Sequence, residues 1–231
     1  MVSRLQQFGV PASPARRTVG LFHRACLCLA IPLLVAALTV ARAHVAPAAD
    51  ASSVVTELLS SAIGALNNKQ LTARDRAHLF QSLLDQDFDM PRISRFVLGP
   101  YWEKASDDER QAFIGLFEQW IVSSYSEGLD GYDGETIKVT GSRPGNGNTM
   151  VVSSQVVDRA GTTGPKLDWV LRHDNDSFKI INVSVEGMSL VMIERAQIVA
   201  VVERHGGTVN GANSALQERL AASYTQHADN H

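Results

Sequence analysis

Six histidines lie beyond residue 43: His44, His78, His173, His205, His227 and His231. Imidazole acting as a general base or metal ligand needs a carboxylate or a second imidazole held at fixed spacing on one element. Only His227 and His231 have helical i,i+4 spacing, and they sit in a polar C-terminal tail where a frayed end is the ordinary outcome. Gly187-Met188-Ser189-Leu190 lacks the closing glycine of a nucleophile elbow. Gly141 to Asn148 is glycine-rich but leads into strand-like sequence, so it reads as a hairpin loop and not as a phosphate cradle. Asp168, flanked by Leu167 and Trp169, is the best candidate for a lone base acting on an apolar substrate. Strand alternation turns it to the face opposite Trp169, and one acid without a partner is not a catalytic set. No catalytic residue, cofactor or metal site is assigned.

The residues that stand out are apolar. Eight of the fifteen aromatic side chains fall between Phe88 and Tyr125: Phe88, Phe96, Tyr101, Trp102, Phe113, Phe117, Trp120 and Tyr125. Such a block either fills an ordinary core or lines a pocket for an apolar ligand, because core and pocket use the same residue types.

Elements that would position this block follow from periodicity. Apolar residues at helical spacing mark Val54 to Leu66. Thr72 caps a helix running to about Asp87, Pro91 opens a short third helix stopped by Gly99-Pro100, and Ser106 to Glu109 forms a capping box. The helix that follows carries Phe113, Leu116, Phe117, Trp120 and Tyr125 on one face, and Ile114 and Ile121 widen the arc, which implies burial on more than one side. After Gly131 the pattern changes to strands at Thr136–Thr140, Thr149–Val157, Leu167–Arg172 and Phe178–Val185, joined by short turns. Helix returns from Leu190 to His205, breaks at Gly206-Gly207 and resumes more weakly near Ala212–Ser223. The order predicts one α+β domain with helices on a curved, antiparallel, four-stranded sheet.

The N-terminus points to export. Four arginines and no acid precede an apolar run from Ala25 to Val40, which ends in Ala41-Arg42-Ala43. This is the layout of a secretory signal peptide over residues 1–43, and the run is shorter than the roughly 20 residues a spanning helix needs. Cleavage after Ala43 leaves a single domain over 44–231, ordered over about 52–223. It removes Cys26 and Cys28, and with them any disulfide, thiol nucleophile or thiolate metal site. The remaining 16 basic and 24 acidic residues give a formal charge of −8, which makes nucleic acid a poor partner.

Three stretches carry a resemblance. They are Arg95-Phe96-Val97-Leu98-Gly99-Pro100-Tyr101-Trp102 with Asp108 to Phe113 and Leu116 to Glu118; Val185 to Leu190 with the helix to Arg195; and Glu203 to Gly207 with Leu216 and Leu220. Over about residues 52–221 the chain resembles the periplasmic MlaC-type lipid carriers, also called toluene-tolerance proteins. Val183 to Leu190 and Gly206-Gly207 are most similar to the branch associated with hopanoid biosynthesis, HpnM. Asn182 departs from the family, whose members commonly carry aspartate there.

The resemblance implies a cystatin/NTF2-like fold enclosing an apolar cavity. It also implies a non-enzymatic carrier of hopanoid or phospholipid between inner- and outer-membrane, ABC transporter-associated complexes. The lining it implies, taken with periodicity, is Val97, Tyr101, Trp102, Phe113, Leu116, Phe117 and Trp120 from the helical half. The other half gives Leu167, Trp169, Leu171, Ile181, Val183, Met188 and Leu190, with Arg95 at the cavity mouth, at a partner contact or in a surface salt bridge. Two other classes stay open: an isomerase- or hydrolase-like enzyme on the same fold, which needs a polar group inside, and a solid-cored structural adaptor.

Overall fold

Local capping signals set the helical half. The computed structural model describes residues 48–126, 134–174 and 177–229. The expected leader, with Cys26 and Cys28, lies outside them, as does His231. Helix α1 spans Ala48–Asn67 and α2 Ala73–Asp87. Thr72 caps α2 in a reciprocal box with Asp75: the Asp75 backbone N–H donates to Thr72 Oγ1 at 3.1 Å, and the Thr72 backbone N–H to Asp75 Oδ2 at 2.9 Å. Asp89 caps α3 (Met90–Leu98), with Pro91 in its first turn. Gly99, at φ +55°, ends it, and a 3₁₀ turn follows over Gly99–Lys104. Ser106 and Glu109 close the expected capping box, at 2.7 and 3.2 Å, for α4 (Asp107–Ser126). Phe113 and Phe117 of α4 are fully buried and stacked with centroids 5.5 Å apart, while the helix packs against α2, α3 and the C-terminal helix. That is the many-sided burial its wide apolar arc requires.

The sheet is an antiparallel meander of β1 (Thr136–Pro144), β2 (Thr149–Val157), β3 (Thr163–Asp174), β4 (Ser177–Val185) and β5 (Met188–Ser189), in sequential order. Four strands were expected and five are present. The additional strand has two residues, too few to show a period, and is made by a tight hairpin. Glu186 and Gly187 both take positive φ, +50° and +80°, and the hairpin pairs Val185 with Met188 and Ser184 with Ser189. Helices α5 (Leu190–Arg204) and α6 (Val209–Asp229) close the chain.

One bulge decides how the two halves meet. Leu171 pairs with Ile180 and Val170 with Asn182, leaving Ile181 as the extra residue. Strict alternation places Ile181 and Val183 on one face; the bulge shifts the phase, so Ile180 is fully buried and Ile181 half-buried. Ile180 also bridges Phe88, and its carbonyl accepts the backbone N–H of Asp89 at 3.0 Å. The joint between α2 and α3 is thereby fixed to the sheet.

Candidate functional site

The apolar interior falls into two clusters. One belongs to the helices: Met90, Ile93, Val97 and Leu98 of α3, Phe113 and Phe117 of α4, Ile198, Val201 and Val202 of α5, and Ala212 and Leu216 of α6. The other joins Ala51, Val55, Leu58 and Leu59 of α1 to Val152, Trp169, Leu171, Phe178 and Ile180 of the sheet. Phe88 packs against both. Half-buried apolar side chains flank each cluster: Leu116, Trp120, Ile121 and Val191 on the helical one, and Ile137, Val139, Met150, Leu167 and Val183 on the sheet one.

The fourteen side chains singled out by sequence divide accordingly. Val97, Phe113 and Phe117 lie fully within the helical cluster, and Tyr101, Trp102, Leu116 and Trp120 are half-buried against it. Trp169 and Leu171 lie within the sheet cluster, and Leu167 and Val183 against it. Ile181 and Leu190 are half-buried and belong to neither set. Met188, in the β4–β5 hairpin, is 62% exposed, so the fold does not bring it to the interior. Arg95 is exposed and paired with Glu103 at 2.8 Å.

Cations hold several of these rings. Arg110 lies 5.4 Å over Trp102 and donates from Nε to the Trp102 carbonyl at 2.9 Å, and Lys104 lies 5.5 Å over Tyr101. The Arg110 contacts tie the 3₁₀ turn to α4, whereas the Lys104 contact lies within the turn. Asp168 accepts from Ser153 Oγ at 2.5 Å and from Lys166 Nζ at 3.2 Å. Burial acts to raise its carboxyl, but the bonds from Ser153 and Lys166 outweigh that and hold it below the ordinary range. It is a paired residue on the face opposite Trp169, whose indole N–H donates to the buried Ser154 Oγ at 2.9 Å.

Sequence reasoning missed a buried acid bonded to two side chains of the aromatic block. Glu194 of α5 is 5% exposed and accepts from Trp120 Nε1 at 3.3 Å and from Tyr125 Oη at 2.9 Å. Burial first, and then the charge and hydrogen bond of Glu194, push the Tyr125 phenol up to about 12, so at neutral pH it remains a donor. Arg219 of α6 lies 5.6 Å over the Trp120 ring. The signal was present: Glu194 falls on the stripe Val191, Ile198, Val201 and Val202, where an acid is out of place. Among the described residues no three His, Cys, Asp or Glu side chains gather as a metal site, and no helix is long and apolar enough to cross a membrane.

Helices on an open antiparallel sheet, with a two-part apolar interior, define an α+β domain. Residues 56–218 match the MlaC protein family, and the chain belongs to it. It is 24% identical over 143 residues to toluene tolerance protein ttg2D of Pseudomonas putida, a match spanning 62% of this chain and 66%, just under two thirds, of that protein. The fold is shared with the phospholipid-binding protein of Ralstonia solanacearum, solved in complex with a phospholipid. The TM-score is 0.65 at 20% identity, over 76% of this chain and 99% of that one.

Proposed function

We propose that this chain is a periplasmic lipid carrier that holds a phospholipid or hopanoid between its helical and sheet clusters. It shuttles that cargo between inner- and outer-membrane complexes and catalyses nothing. The observation that carries the reading is the divided interior, with Phe88 packed on both clusters and half-buried apolar side chains flanking each. Parting the clusters beside Phe88 would open a space flanked by Leu116, Trp120 and Ile121 on one side and Leu167 and Val183 on the other. Family membership and the phospholipid held by the Ralstonia solanacearum protein support the cargo class. Export follows from the leader over residues 1–43, cleaved after Ala43.

The energetics allow extraction from a bilayer. At about 0.8 kcal/mol per buried CH₂, two acyl chains in an apolar pocket recover well over ten kcal/mol of the cost of leaving the membrane. Release then requires a partner that competes for the cargo or opens the pocket. Organic extraction of the chain purified from the periplasm, followed by mass spectrometry, tests the reading. Stoichiometric co-purifying lipid is expected; a chain that carries none and takes up none from vesicles would sink it. Hopanoid in the extract supports the hopanoid branch, and phospholipid alone removes only that branch.

A further inference from the structure

Phe96, Met188, Met192 and Ile193 are the large apolar side chains left exposed among the described residues, each by 40% or more. Contacts between their elements gather them at one place. Ser189 pairs with Ser184 in the β4–β5 hairpin and also caps α5, its Oγ accepting the Met192 backbone N–H at 3.3 Å, so Met188 leads directly into the helix. Arg195, one turn beyond Met192, lies over the Phe96 ring and brings α3 alongside. The hairpin is braced from β3. Glu186, at a positive φ that L residues rarely take, accepts from the Lys166 backbone N–H and donates its own to the Lys166 carbonyl at 2.9 Å. On α5 the inner stripe Glu194, Ile198, Val201 and Val202 is buried. The outer positions Met192, Ile193, Ala196 and Gln197 are exposed and carry no charge. A helix without a charged side is normally covered all round, yet these four positions face solvent.

We propose that this face, Met192 and Ile193 of α5 with Met188 and Phe96 beside them, docks on the surface of a zwitterionic bilayer. The inference goes beyond the carrier reading and does not rest on it. At 15 residues α5 is too short to span a membrane, so the contact is a surface one. Charge selects the kind of surface. The rim beside Phe96 consists of two ion pairs, Arg92 with Asp89 at 3.1 Å and Arg95 with Glu103, whose charges cancel. Arg195 beside Phe96 and Glu186 beside Met188 balance likewise. A layer of phosphates and ammoniums offers partners of both signs, whereas the −8 formal charge of residues 44–231 works against an anionic layer. Size argues against a second copy of the chain, since a stable interface takes about 20–30 residues a side. Reversible seating on a bilayer needs only that a few apolar side chains enter the acyl boundary while the charged rim stays among the head groups. Methionine, unbranched and flexible, suits a contact that has no fixed shape.

The test floats the full-length chain, expressed with its own leader, with vesicles of phosphatidylcholine alone or mixed with phosphatidylglycerol, in low and high salt. Flotation with phosphatidylcholine vesicles is expected, unchanged by salt and not increased by phosphatidylglycerol. Met192→Glu combined with Ile193→Glu alters two exposed positions and should weaken binding at least about tenfold while leaving the melting temperature near that of wild type. A second measurement needs no variant. Peroxide converts exposed methionine to its sulfoxide, and phosphatidylcholine vesicles should slow this at Met188 and Met192, as read by mass spectrometry. No flotation with phosphatidylcholine vesicles overturns the proposal and leaves this face to a protein partner. Flotation that needs phosphatidylglycerol and fails in high salt overturns it as well. So does flotation that leaves the oxidation of Met188 and Met192 unchanged, or that persists undiminished in the folded double variant. Co-purifying lipid in a chain that does not float removes this inference alone, whereas flotation of a chain that carries and takes up no lipid removes only the carrier reading.

Discussion

The guanidinium of Arg195 fills the space that a Cβ on Gly99 would need, its Nη2 lying 2.5 Å from that point. From there Arg195 lies 4.9 Å over the Phe96 ring and donates to the Phe96 carbonyl, tying the end of α3 to the first turns of α5. Gly99 also takes φ +55° and ψ −126°, a conformation that L residues avoid.

Gly99→Ala therefore carries two costs. The backbone strain alone is about 1–3 kcal/mol. The added methyl also moves Arg195 off the Phe96 carbonyl and ring. Thermal or urea unfolding should show a loss of roughly 2–3 kcal/mol. Arg195→Ala made in the Gly99→Ala background should cost less than it does alone, since the contact is already broken. Equal costs in the two backgrounds would disprove the coupling.

The amide oxygen of Asn182 already takes the donors that a carboxylate at this position would take. It accepts from Ser189 Oγ at 2.9 Å and from the backbone N–H of Val191 at 3.4 Å, beside the start of α5. Asn182→Asp should keep both bonds and add a favourable charge at a helix N-terminus, a gain of about 0.3–1 kcal/mol at low salt. The gain should shrink in high salt and vanish once the new carboxyl is protonated. A salt-independent loss of stability would show that the Nδ2 contact to Ser184, at 3.4 Å, matters more than the charge.

Local signals were legible in the chain and tertiary ones were not. Thr72 and Ser106 mark helix starts through bonds to residues three positions away, so their boxes can be read directly. The meander is equally readable, because short turns force neighbouring strands to pair. The bulge at Ile181 is different: it follows from β4 meeting the α2–α3 joint, residues nearly a hundred positions away, and no two-residue period announces it. Trp102 reads as an interior aromatic until the 3₁₀ turn brings Arg110 over it. Glu194 is visible in the sequence as an acid on the otherwise apolar stripe of α5, but its donors, 69 and 74 positions away on α4, emerge only in the packed structure.

Ser154 and Trp169 provide a direct measure of how dry the sheet cluster is. The Ser154 hydroxyl is fully buried and is the acceptor for the Trp169 indole N–H at 2.9 Å. Ser154→Ala leaves that N–H without its partner, at a cost of roughly 1–3 kcal/mol. The double variant Ser154→Ala, Trp169→Phe removes donor and acceptor together. Its hydrogen-bond penalty should largely cancel, leaving the smaller packing loss of the indole. Additive costs would mean that water reaches this position.

Glu118 provides a test by pH. Burial raises its carboxyl above the ordinary value and the neighbouring Asp85 raises it further; burial also raises Asp87. A folded pKa above the unfolded one means that the folded state holds the proton more tightly. The associated stability is fully present below the unfolded value and is lost as pH rises through the folded one. Once ionised, Glu118 is a charged group in an unfavourable place, and Glu118→Gln should then stabilise the chain by about half a kcal/mol. The advantage should fade as pH falls towards the ordinary carboxylate range, where wild type is protonated too. Asp75, Glu109, Asp158 and Asp168 are held low, and their contributions are lost only as pH falls below that range. The stability difference between wild type and Glu118→Gln should therefore widen as pH rises above the ordinary carboxylate range. Melting temperatures of both proteins from pH 4 to 8 check this, and a gap that stays constant across the series would show that Glu118 is not the titrating group.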